Sequence, residues 1–257
     1  MALKLKLFSK KQPDPNSMTL LEHLAELRKR LIISIAVVCC TSVISFFLYP
    51  AILHFLLIPY CQSHSPCKLY ITAPLDGLSL RVRVSFYGGV FLSSPVLFFE
   101  IWRFVTPGLR DTEKHYAAPF VVSSVVLFGM GAVVAYISYA HALRWLGSIG
   151  GSSLQQIYNP NSYINLILLL MVAFGLTFEF PVLLVALEVA GVVTPAKLSS
   201  WRRRAIVGIT IFAAVITPSS DPFSMLALAI PMYIFYEASI VIGRVFLLRK
   251  SRKIVNP

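Results

Sequence analysis

The sequence predicts an all-α integral membrane protein with six transmembrane helices. Of its 257 residues, 57% are hydrophobic and 13% are charged, whereas ordinary soluble domains carry about 25% charged residues. Six apolar segments follow one another with short connections, and each crossing of a bilayer needs roughly 20 such residues. The net charge of +12 is concentrated in clusters beside these segments. This pattern indicates anchoring at a lipid bilayer rather than binding of nucleic acid.

The N-terminal region predicts a tail followed by an amphipathic helix. Residues 1–17 contain four lysines and two prolines, which is typical of a flexible cytoplasmic tail, and they lack the apolar core of a signal peptide. From Thr19 to Leu31 a leucine recurs every three or four residues, and Glu22 follows Thr19 by three. These features predict a capping box and an apolar helix face. We expect this helix to run directly into the first span.

The membrane domain is expected to cover residues 18–249, with a basic cytoplasmic tail at 250–257. The six spans are predicted at residues 31–49, 84–104, 116–143, 162–189, 205–216 and 223–242. The fifth is anomalous, because its 12 residues reach only about 18 Å in a helix while the hydrocarbon core is roughly 30 Å thick. A short helical hairpin through a thinned bilayer is favoured over a re-entrant segment.

Lysine and arginine counts orient the helices. Residues 1–30 carry seven such side chains, and the chain after Gly243 carries five. The 190–204 connection carries four, whereas the 146–161 connection and the 217–222 turn carry none. By the positive-inside rule, both termini face the cytoplasm.

The 50–80 loop then lies on the outer side and predicts a structured cap. It contains four prolines and the apolar stretch AILHFLLI, which can lie on the membrane. Cys61 and Cys67 share this loop, and a disulfide between them could persist outside the cytoplasm. The sequence leaves open whether they are bridged.

Signatures of enzymes are missing from the chain. There is no H-E-x-x-H, no G-x-S-x-G, no Walker loop and no pair of aspartates within a span, so neither a protease nor a nucleotide hydrolase is predicted. The five histidines are scattered and do not form a ligand pattern. We therefore expect no enzymatic activity, no metal site and no cofactor.

Glu179 is the sharpest intramembrane feature. It lies in FGLTFEFP, deep within the fourth predicted span, where an ionisable side chain is costly and usually functional. Pro181 removes a helical hydrogen bond and frees the carbonyl of Thr177, which predicts a kinked, polar pocket. The alternative is a protonated glutamate hydrogen-bonded between helices.

The remaining acidic residues have simpler interpretations. For three glutamates near cytoplasmic helix ends, we expect solvation at the interface beside neighbouring arginines; these are Glu100, Glu188 and Glu237. Asp221 precedes Pro222 and is expected to cap the sixth helix. Spacing alone predicts that Glu26 and Glu113 are surface charges, with Glu26 paired to Arg30 one helical turn later.

Four stretches occur in order between Met18 and Arg249: HLAELRKRL at 23–31, SSPVLFFEIWRFVTPGL at 93–109, FGLTFEFPV at 174–182 and ITPSSDPFSMLALAIPMY at 216–233. With the span count and the charge pattern, they resemble the TatC family, the multispanning receptor subunits of the twin-arginine protein translocase. The resemblance implies a glove-shaped bundle of six helices, the last two short, in the bacterial cytoplasmic membrane.

The same resemblance implies a site at the cytoplasmic face for the twin-arginine motif of signal peptides. By position it assigns this site to Glu26, Arg28, Phe104 and Glu113. Glu179 matches the intramembrane glutamate of the family and Asp221 the acidic residue of the last outer turn, while structural prolines are matched by Pro59, Pro95 and Pro107. Charge-assisted bonds between guanidinium groups and carboxylates are strong in a partly desolvated site, which makes this assignment chemically reasonable.

The implied partners are small single-span subunits of the TatA and TatB type, signal peptides of folded cargo, and further copies of the chain in a larger complex. Export would be driven by the proton motive force. A proton-coupled small-molecule transporter using Glu179 is the alternative, although such a transporter needs broken helices in paired halves. A purely structural membrane scaffold is the third interpretation.

Overall fold

The computed structural model describes residues 20–63, 69–105, 117–149, 159–217 and 222–255. Within these ranges the chain is helical and contains no strand, as the composition predicts. Its helices are α1 Leu20–Phe47, α2 Tyr49–Ser63, α3 Asp76–Val105, α4 Ala117–Ile149, α5 Pro160–Phe178, α6 Phe180–Val189, α7 Pro195–Ser200, α8 Arg202–Ile216 and α9 Pro222–Val255. Five segments of these ranges are long and apolar enough to cross a membrane: Leu21–Phe47, Asp76–Val105, Ala118–Trp145, Pro160–Val189 and Ser224–Val245.

The helices extend beyond the predicted apolar segments. Because α1 begins at Leu20, the amphipathic stretch and the first span form one continuous helix, as expected. The last helix has 34 residues and continues to Val255, through most of the predicted basic tail. In contrast, α8 has 15 residues, which reach only about 22 Å. The prediction of six crossings therefore depends on this one short helix.

The fourth predicted span is broken at Glu179. The first part, α5, ends at Phe178, and α6 begins at Phe180. Pro181 has no amide hydrogen to donate to the carbonyl of Thr177, and the backbone N–H of Glu179 donates to the carbonyl of Leu176 at 3.2 Å. The helix is interrupted where a kink is predicted, but the groove beside this point is lined mainly by apolar residues and is not the predicted polar pocket.

Three further helices contain an internal proline: Pro59 in α2, Pro95 in α3 and Pro231 in α9. Each removes one backbone hydrogen bond, and for Pro59 and Pro95 a side-chain hydroxyl supplies a donor. The Tyr136 hydroxyl donates to the carbonyl of Phe55 at 2.7 Å, and Ser94 Oγ donates to the carbonyl of Phe91 at 2.8 Å. Replacement donors of this kind allow proline within membrane helices.

Small residues bring the helix axes close together. A Cβ added to Gly89 of α3 would lie 2.7 Å from the backbone of Ser42 in α1, and Thr41 Oγ1 donates to the carbonyl of Gly89 at 2.9 Å. Between α4 and α5, a Cβ at Gly131 would lie 2.6 Å from the carbonyl oxygen of Phe174. Membrane helices commonly pack through such contacts, because lipid provides no hydrophobic drive for association.

The interior is built mainly from α3, α4, α5 and α9, with α2 packed across their outer ends. Buried aromatic side chains such as Tyr139, Phe174 and Phe178 fill it. Large apolar side chains on the other faces are exposed, including Leu31 and Ile35 of α1. A surface of this kind would promote aggregation in water, whereas in a bilayer it faces lipid.

The 50–80 loop, which is predicted to lie on the outer side, is partly helical. The first part of this loop is α2. The hydroxyl of Tyr163 in α5 donates to the carbonyl of Leu56 in α2 at 3.1 Å. Cys61, near the end of α2, is disulfide-bonded, whereas Cys67 lies outside the described residues.

A polar cluster ties the outer end of α3 to that of α5. Asn159 caps α5 by accepting from the backbone N–H of Asn161 at 2.8 Å. Its amide donates to Thr72 Oγ1 at 2.5 Å and to Asp76 Oδ2 at 3.2 Å. Asn159 therefore serves both as a helix cap and as a link between two spans.

Candidate functional site

A cavity of about 550 Å³ lies at the predicted cytoplasmic ends of α1 and α3. Charged side chains of both signs dominate its lining, which consists of Glu22, Ala25, Glu26, Lys29, Arg30, Ile33 and Arg103. Residues 22, 26, 29, 30 and 33 repeat at helical spacing on α1, so one face of that helix forms most of the wall. The cavity is therefore a charged recess beside an otherwise apolar bundle.

Arg30 is held between two carboxylates in this recess. Its Nη1 donates to Glu100 Oε2 at 2.7 Å, and its Nε donates to Glu26 Oε1 at 3.2 Å. Its Nη2 also pairs with Glu26 Oε1. The exposed fraction of the side chain is 13% for Arg30, 9% for Glu100 and 20% for Glu26. Ion pairs shielded to this degree hold their geometry better than pairs on an open surface.

The local sequence explains half of this arrangement. Glu26 and Arg30 are one turn apart on α1, and their predicted pairing is confirmed. Glu100 comes from the last two turns of α3 and is only 7% exposed. The prediction that Glu100 is solvated beside Arg103 is wrong. A buried carboxylate needs a partner, and packing of α3 on α1 supplies Arg30.

One oxygen of Glu26 has no hydrogen-bond partner among the described residues. Glu26 Oε1 receives both bonds from Arg30, while Oε2 is buried and has no hydrogen-bond partner among the residues that the structure describes. An unpaired carboxylate oxygen beside a cavity is a strong acceptor for a cationic donor. Because this oxygen is buried, a cationic group in the recess reaches it only when the surrounding side chains move.

Phe104 lies at the same end of the bundle. Its ring stacks on that of His23, with centroids 4.3 Å apart and planes 20° apart. This contact fixes the end of α3 against the start of α1, close to the turn that carries Glu26. Arg28, by contrast, is exposed and does not line the cavity.

Glu113 of the predicted site and the predicted structural proline Pro107 lie outside the described residues. The structure therefore brings Glu26 and Phe104 to one end of α1 and α3, and adds two residues that sequence reasoning did not assign to the site, Glu100 and Arg103. The signal for Glu100 was present in FFEIW, since a carboxylate among apolar neighbours requires a buried partner.

The intramembrane residue Glu179 ends a short polar chain through the bundle. The indole Nε1 of Trp102 donates to Ser124 Oγ at 3.0 Å, and the hydroxyl of Ser124 also lies beside the Glu179 carboxyl group. Glu179 Oε1 is buried without a hydrogen-bond partner in the described part of the chain. Glu179 thus lies in a polar chain with Trp102, near the predicted cytoplasmic end of α3, and retains one unpartnered oxygen.

The other two glutamates near helix ends differ from each other. Glu237 forms a bidentate pair with Arg202, at 2.7 Å for each bond, as expected for a residue beside the basic 202–204 run. Glu188 is only 6% exposed, and neither of its oxygens has a partner within the described ranges, so its predicted solvation is wrong. Gly243 provides the space for this carboxyl group. Asp221 lies outside the described residues.

An apolar groove of about 400 Å³ lies next to the Glu179 break. It is formed between α5–α6 and α8, with one contribution from α9, and its lining is Leu176, Thr177, Phe180, Leu183, Ala205, Gly208, Ile209, Phe212 and Met232. Phe180 directly follows the break in sequence, and Thr177 lies two residues before it. The groove therefore borders the polar interruption of the fourth span.

Comparisons with known proteins agree on one family. The family model described as "Sec-independent protein translocase protein (TatC)" matches residues 22–231. A TatC from Aquifex aeolicus is 36% identical over 237 residues, covering 91% of this chain and 98% of that protein. A TatC from Frankia casuarinae is 40% identical over 242 residues, covering 90% of this chain but 66% of the longer relative.

A solved structure agrees with this assignment. The crystal structure of the twin-arginine translocase receptor TatC superposes with a TM-score of 0.74 at 36% sequence identity. The superposition covers 87% of this chain and 99% of that one, so the fold is shared over nearly the whole length of both. The chain therefore belongs to the TatC family of Sec-independent protein translocase proteins.

Proposed function

We propose that this protein is the receptor subunit of a twin-arginine translocase and that its Glu26 cavity binds the paired arginines of signal peptides. As a member of the TatC family, it is a multi-pass membrane component of the translocase. The proposal adds a location for signal recognition, the cytoplasmic ends of α1 and α3.

One observation carries the proposal: the buried, unpartnered Oε2 of Glu26 beside a charged cavity. A guanidinium group is planar, always charged and only weakly hydrated, so it suits a partly desolvated carboxylate better than an ammonium group does. The cations that line the cavity would repel a ligand that forms only one weak contact, which favours a well-fitted arginine pair. Glu113 is proposed as the second carboxylate, and Phe104 and Arg28 as residues at the margin of the site.

The proposed function extends into the bilayer. The apolar segment of a bound signal would pack along the helices toward Glu179. The groove that borders the break at Glu179 is apolar and faces outward, which supports docking of a small single-span partner of the TatA or TatB type. With these partners and further copies of itself, the protein would export folded cargo, driven by the proton motive force.

Binding of a labelled signal peptide to the purified full chain tests the site. A synthetic peptide with paired arginines should bind at least tenfold more weakly to Glu26→Gln than to the wild type, and replacing both arginines with lysines should cause a similar loss. Glu237→Gln is the matched control, because it removes an ion-paired carboxylate outside the cavity. Undiminished, arginine-dependent crosslinking to a Glu26→Ala, Glu113→Ala double variant would contradict the site assignment.

A proton-coupled transporter that uses Glu179 is the second candidate, favoured by the break between α5 and α6. Such a transporter is built from paired halves with matching breaks. In the first half of the described chain, the gap at Leu48 between α1 and α2 lies at the end of the first predicted span, whereas Glu179 lies deep within the fourth. Uptake of a small substrate by vesicles that contain this chain alone would support this candidate.

A further inference from the structure

Glu100 lies behind the cavity rather than in its wall. It is 7% exposed and is absent from the lining, yet it accepts a 2.7 Å hydrogen bond from Arg30 Nη1. It therefore contacts the site only through Arg30. Glu100 affects the charge balance of the cavity.

The cavity lining contains three cations and two carboxylates. Lys29, Arg30 and Arg103 supply the positive charges, and Glu22 and Glu26 the negative ones. With this set alone, a cationic ligand would enter a recess with an excess of positive charge. The carboxylate of Glu100 compensates that excess from behind, at hydrogen-bond distance from Arg30.

Glu100 also determines which oxygen of Glu26 stays open. Arg30 donates from Nη1 to Glu100, and from Nε and Nη2 to Glu26 Oε1. If Glu100 could not attract Nη1, the guanidinium would be free to turn and form a two-pronged pair with both oxygens of Glu26, the favoured geometry for arginine and a carboxylate. Glu26 would then be neutralised, and no acceptor would remain for a ligand.

We propose that Glu100 is a positioning residue that sets the affinity and arginine selectivity of the Glu26 cavity by drawing Arg30 away from Glu26 Oε2. This inference rests on the proposed function, since it assumes that the ligand of the cavity carries guanidinium groups. It assigns to Glu100 a role in ligand selection that differs from direct contact with the peptide.

The first test is the affinity of the full-length Glu100→Gln variant for a fluorescent peptide with paired arginines. Glutamine keeps the shape and one acceptor but removes the charge that attracts Arg30. We expect binding about tenfold weaker than in the wild type, equivalent to about 1.4 kcal/mol, and a smaller ratio between the affinities of the arginine and lysine peptides. Glu237→Gln should change neither quantity.

The second test removes Arg30, which competes with the peptide for Glu26 Oε2. In a Glu100→Gln, Arg30→Gln double variant, nothing turns onto Glu26 Oε2, so the arginine peptide should bind more tightly than it does to Glu100→Gln alone. Equal weakness of the single and double variants would overturn the inference, because it would mean that Glu100 itself contacts the peptide. A lower melting temperature of Glu100→Gln with unchanged affinity and selectivity would also overturn it.

Failure of the proposed function has a different signature. If the wild-type protein binds arginine and lysine peptides equally, the cavity is not a twin-arginine site, and both proposals fall together. If the wild type discriminates between the peptides and Glu100→Gln discriminates equally well, the inference about Glu100 alone is wrong.

Discussion

The indole N–H of Trp102 donates to the hydroxyl oxygen of Ser124 at 3.0 Å, joining α3 to α4 inside the bundle. The Trp102 ring also stacks on Phe120, with centroids 4.7 Å apart, so the donor is held in place. The Ser124 hydroxyl also lies beside the carboxyl group of Glu179. Two spans therefore cooperate to orient one intramembrane carboxyl group.

Ser124→Ala should reduce export and stability together. The substitution removes the hydroxyl beside Glu179 and leaves the Trp102 indole without its acceptor, at a cost of about 1–3 kcal/mol for buried groups that lose their partner. Export of a twin-arginine cargo by vesicles that contain the partner subunits, and the melting temperature of the purified variant, are the measurements. Ser123→Ala, at an exposed neighbouring position of α4, is the control. Equal behaviour of the two variants would mean that Ser124 does not position Glu179.

Much of the fold follows from apolar length and charge distribution. The helix from the amphipathic stretch into the first span, the short α8 and the break near Pro181 were all predicted from the sequence. The start of α3 and the end of α9 were not predicted. Asp76 begins α3 inside a stretch that contains two arginines, and hydropathy cannot show that a helix continues through charged residues when other contacts stabilise it.

The site was less predictable because its partners come from different helices. The pair of Glu26 and Arg30 could be predicted, since spacing along one helix determines which side chains meet. The contact between Arg30 and Glu100 could not, because it depends on the register of α1 against α3, and that register is set by close packing at Gly89. A carboxylate in an apolar stretch indicates that a partner is needed, but the sequence does not show which residue that partner is.

Gly89→Ala should weaken the packing of α1 on α3. The added Cβ would lie 2.7 Å from backbone atoms of Ser42, so the helices must separate, and overpacking of this kind costs about 1–3 kcal/mol. We expect a lower melting temperature in detergent and, because α1 carries Glu26, weaker binding of the arginine peptide. Gly129→Ala is the control, since a Cβ there meets nothing within 4 Å. If Gly89→Ala were as stable as this control, the close contact would not hold the helices together.

Asn159→Ala should loosen the outer end of the bundle. The variant loses the cap of α5 and the amide bonds to Thr72 and Asp76, and loss of a helix cap alone costs about 1 kcal/mol. Hydrogen exchange should increase at the first turns of α3 and α5, while peptide binding at the opposite end of the helices should not change. Ser162→Ala, exposed on the first turn of α5, serves as the control. Unaltered exchange at the start of α3 would show that Asn159 does not link the two spans.

A double-mutant cycle of Tyr136→Phe and Pro59→Ala isolates the hydrogen bond from the Tyr136 hydroxyl to the Phe55 carbonyl. The Tyr136 hydroxyl donates at 2.7 Å to the Phe55 carbonyl, which lacks a backbone donor because residue 59 is proline. Tyr136→Phe should therefore lower the free energy of unfolding by about 1 kcal/mol. In a Pro59→Ala background, the new amide at position 59 can bond to the same carbonyl, so the loss of the hydroxyl should cost clearly less. Chemical unfolding of the four proteins measures both effects, and Tyr70→Phe, at an exposed tyrosine, controls for removal of a hydroxyl. Equal costs in the two backgrounds would mean that the Tyr136 hydroxyl does not compensate for Pro59.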